Sequence, residues 1–381
     1  MEDEIFWLLL KERALESTAE GVVISDCTQE GMPIIYVNKA FTAVTGYEYD
    51  EVIGRNCRFL QGTDTDPAAR LSIRKALSDE SSCIVEILNY RKDGTPFWNR
   101  LSITPVQNDQ GRTTHYIGVQ SDVTRRRLAE ESLHKANMQL KRDLQAAAQI
   151  QQAQLPKELP DMEGYRFAWR FRPCEELAGD TLNIFWLDDT RVVVYVLDVC
   201  GHGVRASLQS FALNQDLRPV QNGPSLLSPE EVFARLNAKY PMDMQTGMYF
   251  TILYGILDTQ TGDFTFSSAG HPGPILIRQG QDPRIIETKS LPIGISPDTE
   301  YASQTMKLMS QDKLILYTDG VVEAFNAANE PFSEDRLMKI LLCSRNADVE
   351  GMLETVLKSL DNWACRVNPG DDVSLVGIEA L

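Results

Sequence analysis

The sequence predicts an α+β protein with two or three domains joined by a helical linker. At 381 residues the chain exceeds what one hydrophobic core usually holds. Short β-rich runs separated by hairpin turn signals fill residues 20–124, whereas residues 125–155 lack Gly and Pro and are rich in helix formers. The predicted organisation is a docking helix at 1–19, a first domain at 20–124, a linker at 125–159 and a second domain at 160–381.

The composition is that of an ordinary globular protein in a reducing compartment. The formal net charge of −17 disfavours nucleic-acid binding, because that binding depends on Lys and Arg at the phosphates. The seven cysteines form no CxxC pair, so neither a disulfide framework nor a thiolate zinc site is indicated. The most apolar N-terminal run, residues 5–10, is far shorter than the ~20 residues that span a bilayer. We expect a soluble cytoplasmic protein with no membrane and no nucleic-acid partner.

The first domain is predicted to be a five-stranded antiparallel sheet with helices packed on one face. Turn signals at 92–94 and 108–111 connect its last three strands as hairpins. The pattern between residues 38 and 78 is helical, and Pro67 suits the first turn of a helix. The predicted strands lie at residues 22–24, 34–37, 83–88, 97–106 and 113–119.

The linker has an imperfect heptad pattern. The positions that form its seam are Leu133, Asn137, Leu140, Leu144, Ala147 and Gln151. Because two of these six are polar, a coiled coil here would be weak and adjustable, which suits a switch between two domains. A plain surface helix is the alternative. A parallel homodimer through the linker is the predicted assembly.

The second domain alternates strands and helices. The predicted strands lie at residues 192–197, 249–257, 264–266, 275–277, 314–317 and 373–376, and the predicted helices at 203–213, 229–239 and 349–363.

One cysteine lies in a dense polar segment, GRNCRFLQG at residues 54–62. Positive neighbours are expected to raise the thiolate fraction of Cys57, and the amides and guanidiniums of the segment suit a phosphorylated heteroaromatic ligand. Asn89, Asn99 and Gln120 lie on predicted strands, where buried amides are costly unless they are hydrogen-bonded. Together these residues indicate a ligand pocket with a sulfur atom beside it.

This region resembles the LOV (light, oxygen, voltage) branch of the PAS family. The motifs that carry the resemblance follow in family order: GRNCRFLQG, TDP, IRKAL, LNYRKDGTPFWNRLSI and YIGVQSDVT. The resemblance implies a blue-light photosensor that holds FMN non-covalently. The implied flavin contacts are Asn56, Arg58, Gln61 and Arg74 at the ribityl and phosphate groups, and Asn89, Asn99 and Gln120 at the isoalloxazine edge.

The same resemblance implies the photochemistry. Under blue light the Cys57 sulfur would bond flavin carbon C4a while N5 gains a proton. Gln120 would then change hydrogen-bond partners, because N5 turns from an acceptor into a donor. A flavin that serves as a redox sensor is the alternative.

Four carboxylates of the second domain sit beside small or turn residues at predicted strand ends: Asp180, Asp198, Asp319 and Asp371. Convergent Asp side chains without partnering Cys favour a hard cation with oxygen ligands, Mg²⁺ or Mn²⁺, over zinc. Two such ions can activate a water and polarise a phosphoryl group. Gly201 and Gly203, at the start of a predicted helix, would let an anion approach the backbone.

These segments resemble the PPM family of metal-dependent Ser/Thr protein phosphatases, in the bacterial branch that controls sigma factors. The motifs are LDVCGHGVRAS, GMYFTILYGILD, SSAGHPGPIL, LPIGI, LYTDGVVEAFN and DDVSLVGI. The resemblance implies an α-β-β-α sandwich. The implied metal ligands are Asp180, Asp198, Asp319, Asp371 and the Val199 carbonyl. The implied reaction is direct attack of a two-metal-activated water on a phosphorylated anti-sigma-factor antagonist of the STAS type.

Three residues depart from the family pattern. Ala178 replaces a usual Gly, Asn183 stands where many members carry Asp, and Cys200 replaces a frequent Ser. Of these, Asn183 is the one that would weaken metal affinity, and Cys200 is expected to be spectator packing. His202 and His271 are acid–base candidates, although a structural hydrogen-bonding role is favoured for each.

The whole chain is therefore predicted to be a blue-light-regulated protein serine/threonine phosphatase. The alternative is a light-dependent scaffold that binds a phosphorylated regulator without hydrolysing it, and Ala178 and Asn183 are its support.

Overall fold

The computed structural model describes residues 2–218, 227–242, 247–364 and 370–381. The chain forms two compact units, residues 1–139 and 140–381. Within the described ranges, no helix combines the length and the apolar character that a bilayer span requires.

The first unit is built on a five-stranded antiparallel sheet, as predicted. Its strands are β1 (Gly21–Asp26), β2 (Ile34–Val37), β3 (Cys83–Tyr90), β4 (Pro96–Gln107) and β5 (Thr113–Asp122). Their order across the sheet is β2-β1-β5-β4-β3. The sheet thus places β5 at its centre, between the first strand and the β3–β4 hairpin.

Short helices connect β2 to β3. They are α2 (Lys39–Thr45), α3 (Tyr49–Val52), a 3₁₀ helix (Cys57–Leu60) and α4 (Pro67–Ser78). Asn38 caps α2 by accepting a hydrogen bond from the Phe41 amide, and Asp66 caps α4 ahead of Pro67. Phe41 and Leu60 pack with residues of β1 and β2 in one buried cluster. The 3₁₀ helix that carries Cys57 is therefore anchored to the sheet.

Two more helices complete this part of the chain. α1 (Glu2–Glu16) covers most of the predicted docking segment, and at least 57% of the surface of Ile5, Phe6 and Trp7 is exposed. α5 (Thr124–Gln152) is a helix of 29 residues, which confirms the helical linker. No residue of α5, all of which is described, is fully buried, and Leu133 and Leu140 of the predicted seam are exposed. The coiled coil and the homodimer stay predictions.

The second unit is a sandwich of two five-stranded sheets. The strands are β6 (Tyr165–Arg172), β7 (Thr181–Trp186), β8 (Arg191–Val199), β9 (Phe250–Asp258), β10 (Asp263–Ala269), β11 (Ile275–Ile277), β12 (Arg284–Ile285), β13 (Gln304–Lys307), β14 (Lys313–Tyr317) and β15 (Val373–Ala380). One sheet has the order β13-β10-β9-β8-β7 and the other β12-β11-β14-β15-β6. Leu182 and Phe264 of the first sheet share a buried core with Leu314 and Val376 of the second.

Helices cover the outer faces of this sandwich. They are α6 (Val204–Leu217), α7 (Pro229–Lys239), α8 (Glu334–Cys343) and α9 (Val349–Trp363). Leu213 of α6 and Phe233 of α7 pack against the first sheet, whereas Leu337 of α8 and Leu353 of α9 pack against the second. The predicted α-β-β-α sandwich is confirmed.

Candidate functional site

The first unit contains a cavity of about 430 Å³ between the 3₁₀ helix, α4 and the sheet. All eight residues predicted to surround a flavin line it: Asn56, Cys57, Arg58, Gln61, Arg74, Asn89, Asn99 and Gln120. Apolar side chains, among them Leu101 and Ile103, complete the lining. The fold therefore brings the whole predicted set to one place, although their individual roles stay predictions.

Three buried amides form a chain on the sheet side of the cavity. Asn99 Nδ2 donates to Asn89 Oδ1 at 2.9 Å and to Gln120 Oε1 at 3.3 Å. Asn99 Oδ1 is buried and has no partner among the described residues. Buried amide oxygens are normally satisfied, so this acceptor suits a ligand that brings a hydrogen-bond donor. The polar edge of an isoalloxazine ring fits this set of donors and acceptors.

The environment of Cys57 differs from the expected one. Burial raises the pKa of the Cys57 thiol to about 11, and a hydrogen bond with Ser25 only partly opposes that rise. The Arg55 guanidinium lies 4.0 Å from the centre of the Phe59 ring, and Arg58 Nε donates to Asn56 Oδ1 at 3.0 Å. The expectation that positive neighbours raise the thiolate fraction was wrong, because burial dominates the pKa of this thiol and no arginine is among the groups that shift it. Cys57 is a neutral thiol that holds a proton at the cavity.

Sequence reasoning missed one cation of the cavity, Arg70. It lines the cavity together with Arg58 and Arg74. The signal was available, because Arg70 and Arg74 are four residues apart on α4 and therefore share one helix face. Three guanidiniums at one cavity suit an anionic ligand group such as a phosphate.

The four predicted carboxylates of the second unit lie at strand ends from both sheets. Asp180 precedes β7 and Asp198 is next to last in β8, whereas Asp319 follows β14 and Asp371 precedes β15. The Asp198 carboxyl senses the charges of Asp319 and Asp371 and is close enough to Asp180 for a side-chain hydrogen bond. The fold thus brings Asp180, Asp319 and Asp371 within electrostatic range of Asp198. Among the described residues, the group whose ligand atoms all lie within 4.8 Å of one another is a different one, Cys174, Asp371 and Asp372.

Burial, together with repulsion from neighbouring carboxylates, raises the pKa of each of these four carboxyls. Burial first, and then the charges of Asp319 and Asp371, raise the pKa of Asp198 to about 7. Burial also leads the rises in pKa of Asp180, Asp319 and Asp371. Within the described ranges, no Lys or Arg forms an ion pair with any of the four. Uncompensated carboxylate oxygens of this kind fit hard divalent cations.

Hydroxyl groups fix the orientation of Asp180. Its Oδ2 accepts hydrogen bonds from Thr318 Oγ1 at 2.8 Å and from Ser374 Oγ at 2.6 Å. Thr318 Oγ1 in turn accepts from the Ser374 amide at 3.0 Å. All three residues are buried. These bonds tie the start of β7 to the strand ends of the other sheet.

Two glycines let the strand ends approach this closely. A Cβ on Gly179 would lie 2.8 Å from the Val199 carbonyl oxygen and 2.9 Å from that of Gly201. The Val199 carbonyl, predicted as a metal contact, therefore faces the segment that carries Asp180. A Cβ on Gly320 would collide with the Asp372 carbonyl oxygen. No larger residue fits at either position without moving the cluster.

Sequence reasoning also missed Asp372, which is buried beside the cluster. Its Oδ1 accepts from the Cys174 amide at 2.8 Å, and its Oδ2 accepts from the amides of Gly179 at 2.7 Å and Asp180 at 3.3 Å. Cys174 Sγ and oxygens of Asp371 and Asp372 lie within 4.8 Å of one another. Burial is the main cause, and the charge of Asp372 the second, that raises the pKa of the Cys174 thiol to about 12. The doubled Asp before a strand was the available signal, because neighbouring residues there point to opposite sides.

The departures from the family pattern lie outside the carboxylate contacts. Asn183 Oδ1 accepts from the Ile184 amide at 2.9 Å, and Asn183 lines a separate cleft beside Gln154. Ala178 is fully buried. Cys200 is exposed and hydrogen-bonds with Tyr249, so the expectation that it is packed was wrong.

The two histidine candidates differ in environment. His202 is exposed, with Nδ1 3.1 Å from Glu175 Oε1. His271 is buried, and burial lowers its pKa to about 4. Its Nδ1 lies 3.1 Å from the Pro272 carbonyl oxygen, so His271 is a neutral ring held in a turn. That geometry is structural.

Comparison with known families agrees with this arrangement. A family model described as Stage II sporulation protein E (SpoIIE) matches residues 188–380, and a model described as PAS domain matches residues 19–125. The first match spans half of the chain, and the chain belongs to the SpoIIE family. Its second unit carries the SpoIIE domain, which is of the PPM phosphatase type, and its first unit is a PAS domain of the LOV type, a class that binds flavin. Both predicted resemblances are confirmed.

Individual relatives share part of the chain. Phototropin-2 of Oryza sativa subsp. japonica is 48% identical over 112 residues, which are 29% of this chain and 12% of the relative. Blue-light-activated histidine kinase 1 of Erythrobacter litoralis is 40% identical over 131 residues, 32% of this chain and 36% of the relative. A solved LOV domain of the blue-light-activated histidine kinase EL346 from Erythrobacter litoralis is 41% identical, with a TM-score of 0.27, and covers 28% of this chain and 96% of that one. The chain thus spans at most about a third of the length of these curated relatives.

Proposed function

We propose that the chain is a blue-light-regulated protein serine/threonine phosphatase. The observation that carries the proposal is one chain that holds both sites: a cavity with a neutral thiol and unsatisfied amide, and a cluster of four carboxylates without a cationic partner among the described residues. The first suits a flavin and the second suits divalent cations. The named blue-light-activated relatives support the light input.

The proposed flavin is FMN. Arg58, Arg70 and Arg74 offer guanidiniums to a terminal phosphate, and Asn89, Asn99 and Gln120 offer donors and acceptors to the ring edge. Bound FMN would supply blue-light absorption and an electrophilic ring carbon. Cys57, whose thiol stays protonated, would supply both the sulfur and a proton. Gln120 accepts a hydrogen bond from Asn99, so a change of its partners would be felt in β5, four residues before α5 begins at Thr124.

The carboxylate cluster would hold two Mn²⁺ or Mg²⁺ ions. Asp180, Asp198, Asp319, Asp371 and the Val199 carbonyl are the proposed ligands. Bound ions would supply activation of water and polarisation of a phosphoryl group. Thr318 and Ser374 hold Asp180 in place, and Asp372 holds the backbone of residues 174–180. These residues set the ligand geometry before any cation arrives, which lowers the cost of ordering the site.

The proposed substrate is phosphoserine or phosphothreonine on a small anti-sigma-factor antagonist of the STAS type. The SpoIIE family membership supports this choice. The proposed assembly is a parallel homodimer through α5, supported by the exposure of Leu133 and Leu140 along its seam. We place the protein in the cytoplasm, where Cys57 would stay reduced.

The test is phosphate release from a phosphorylated antagonist protein, in darkness and under blue light, with and without Mn²⁺. We expect release that requires Mn²⁺ and changes several-fold to about a hundredfold with light, the range of a 1–3 kcal/mol coupling. The variant Asp198→Asn should abolish release in both light states. Cys57→Ala should keep the release but lose its dependence on light.

Two results would refute the proposal. Absence of release with Mn²⁺ in either light state would favour the non-catalytic scaffold. Equal release in darkness and light from flavin-loaded protein would remove the light input. A flavin that keeps its blue absorption under illumination would favour the redox-sensor alternative, and reversible bleaching that persists in Cys57→Ala would contradict the assignment of Cys57.

A further inference from the structure

The last turn of α5 is hydrogen-bonded to the segment that carries Asp180. Gln151 Nε2 donates to the Ala178 carbonyl oxygen at 2.7 Å, and Gln151 Oε1 accepts from the Ala178 amide at 3.1 Å. One side-chain amide thus engages both backbone groups of one residue. Because Ala178 is fully buried, water cannot replace these bonds without entering the unit.

Residues 178–180 are packed so closely that a shift of Ala178 cannot stop at Gly179. The Gly179 and Asp180 amides both donate to Asp372 Oδ2. The Gly179 backbone lies against the carbonyl oxygens of Val199 and Gly201, where even a methyl group would not fit. A displacement of Ala178 therefore changes the position of Asp180 relative to the Val199 carbonyl. Both are proposed metal ligands.

Building on the proposed function, we propose that Gln151 is a positioning residue for the metal site. Through Ala178 it sets the separation between the Asp180 carboxylate and the Val199 carbonyl, and with it the affinity for divalent cations. Gln151 itself does not contact the carboxylate oxygens. It couples the end of the linker helix to the ligands.

The coupling depends on the rotational position of α5. Successive residues of an α-helix point about 100° apart. A rotation of α5 about its axis by a fraction of that angle would therefore move the Gln151 amide away from Ala178. Beyond the helix, Leu155 is buried in the sandwich core, which fixes the chain just after α5 ends. The Gln151 contact is therefore a place where a change in the linker would reach the ligands. This explains why a polar residue occupies a seam position at the end of the helix.

The experiment measures Mn²⁺ binding directly. The electron paramagnetic resonance signal of free Mn²⁺ is titrated against the full chain in its wild-type form and in three variants. Gln151→Ala removes both hydrogen bonds. Gln151→Glu keeps an acceptor for the Ala178 amide but places a charge against the Ala178 carbonyl. Gln152→Ala is the matched control, because Gln152 is an exposed neighbour on the same helix turn.

We expect Gln151→Ala and Gln151→Glu to weaken Mn²⁺ binding by about five- to a hundredfold, the range for the loss of two hydrogen bonds. Gln152→Ala should stay within twofold of the wild type. Saturating Mn²⁺ should restore the turnover number of Gln151→Ala, which damage to the fold would not allow. Unchanged Mn²⁺ affinity in both Gln151 variants, or an equal loss in Gln152→Ala, overturns the inference.

The outcome is separable from that of the proposed function. Mn²⁺ binding that depends on Gln151, in a chain that releases no phosphate, would overturn the phosphatase and support the positioning role. Hydrolysis with wild-type Mn²⁺ affinity in Gln151→Ala would support the phosphatase and overturn the positioning role.

Discussion

Asp371 and Asp372 are adjacent in sequence, yet the structure predicts opposite consequences for their replacement. Asp372 is buried and accepts hydrogen bonds from the backbone amides of Cys174, Gly179 and Asp180. Asp371 is only partly buried, accepts one bond from its own neighbour, the Asp372 amide, and repels the charge of Asp198. We therefore expect Asp372→Ala to destabilise the metal-free protein and Asp371→Ala to leave its stability nearly unchanged.

The magnitude follows from the groups left without partners. Removal of a buried acceptor leaves each donor unsatisfied at a cost of about 1–3 kcal/mol. The hydrogen bonds from the Cys174 and Gly179 amides, at 2.8 and 2.7 Å, contribute their full energy to this estimate. The bond from the Asp180 amide, at 3.3 Å, is long and contributes little. Two unsatisfied donors cost about 2–6 kcal/mol. Because Asp372 also repels Asp180, Asp198 and Asp371, its removal relieves part of this cost, and Asp372→Ala should lower the free energy of unfolding by about 1–4 kcal/mol. Asp371→Ala should stay within about 1 kcal/mol, because the relief of repulsion offsets the lost bond.

The measurement is urea unfolding of the metal-free full chain. Hydrogen exchange in peptides of β14 and β15 is the probe that reports the unfolding. These strands belong to the second unit, so unfolding of the first unit does not contribute. Direct binding experiments should show that Asp371→Ala, despite its stability, has lost Mn²⁺ affinity. Equal losses of stability in the two variants, or a larger loss in Asp371→Ala, would contradict the assignment of Asp372 as the structural partner of the pair.

Three further predictions concern single residues. Burial raises the pKa of the Cys57 thiol to about 11, so bleaching of the flavin-loaded protein should have the same yield between about pH 6 and 9. A yield that rises with pH over that range would be inconsistent with a neutral thiol. The folded pKa of His271, about 4, lies below its ordinary 6.5, so the stability it supplies is complete above pH 6.5 and is lost as the pH falls towards 4. Urea unfolding should therefore show the wild type losing about 2–3 kcal/mol more than His271→Gln between pH 7 and 4. Gly179→Ala should weaken Mn²⁺ binding more than about tenfold, whereas Gly370→Ala, whose added Cβ meets nothing within 4 Å, should not; calorimetric titration measures both.

Much of the fold was predictable because its signals are local. The helix at Pro229–Lys239 begins with a capping box of Ser228 and Glu231 and ends at Lys239, as the periodicity predicts. The buried strand Arg191–Val199 contains an uninterrupted apolar run. The residues of both candidate sites were also predictable. Carboxylates and amides in buried strands cost free energy unless they have a hydrogen-bond partner, a counter-charge or a bound ligand. The sites could therefore be located before their geometry was known.

The missed features depend on distances that the chain order does not show. Asp372 reaches the amide of Gly179, almost two hundred positions earlier in the chain, and Gln151 reaches Ala178 from another element. The predicted charge state of Cys57 was wrong for a related reason. Sequence shows that arginines are neighbours, but only the fold shows that one of them stacks on Phe59 while Cys57 is half-buried at the cavity. Proximity in sequence overstated their electrostatic influence.

The two sites use burial in opposite ways, and this difference makes the second the more sensitive to small movements. In the first unit burial keeps one proton on Cys57, so the resting state is neutral and stable. In the second unit burial concentrates four carboxylates whose repulsion is relieved by a bound cation or by protonation. Cation affinity there falls steeply when a ligand moves, because the loss of one contact leaves the repulsion in place. A linker that displaces Ala178 by a fraction of a bond length therefore has a larger effect on metal occupancy than on the stability of the fold. Metal occupancy, measured in darkness and under blue light, should change with light by the same factor as activity does.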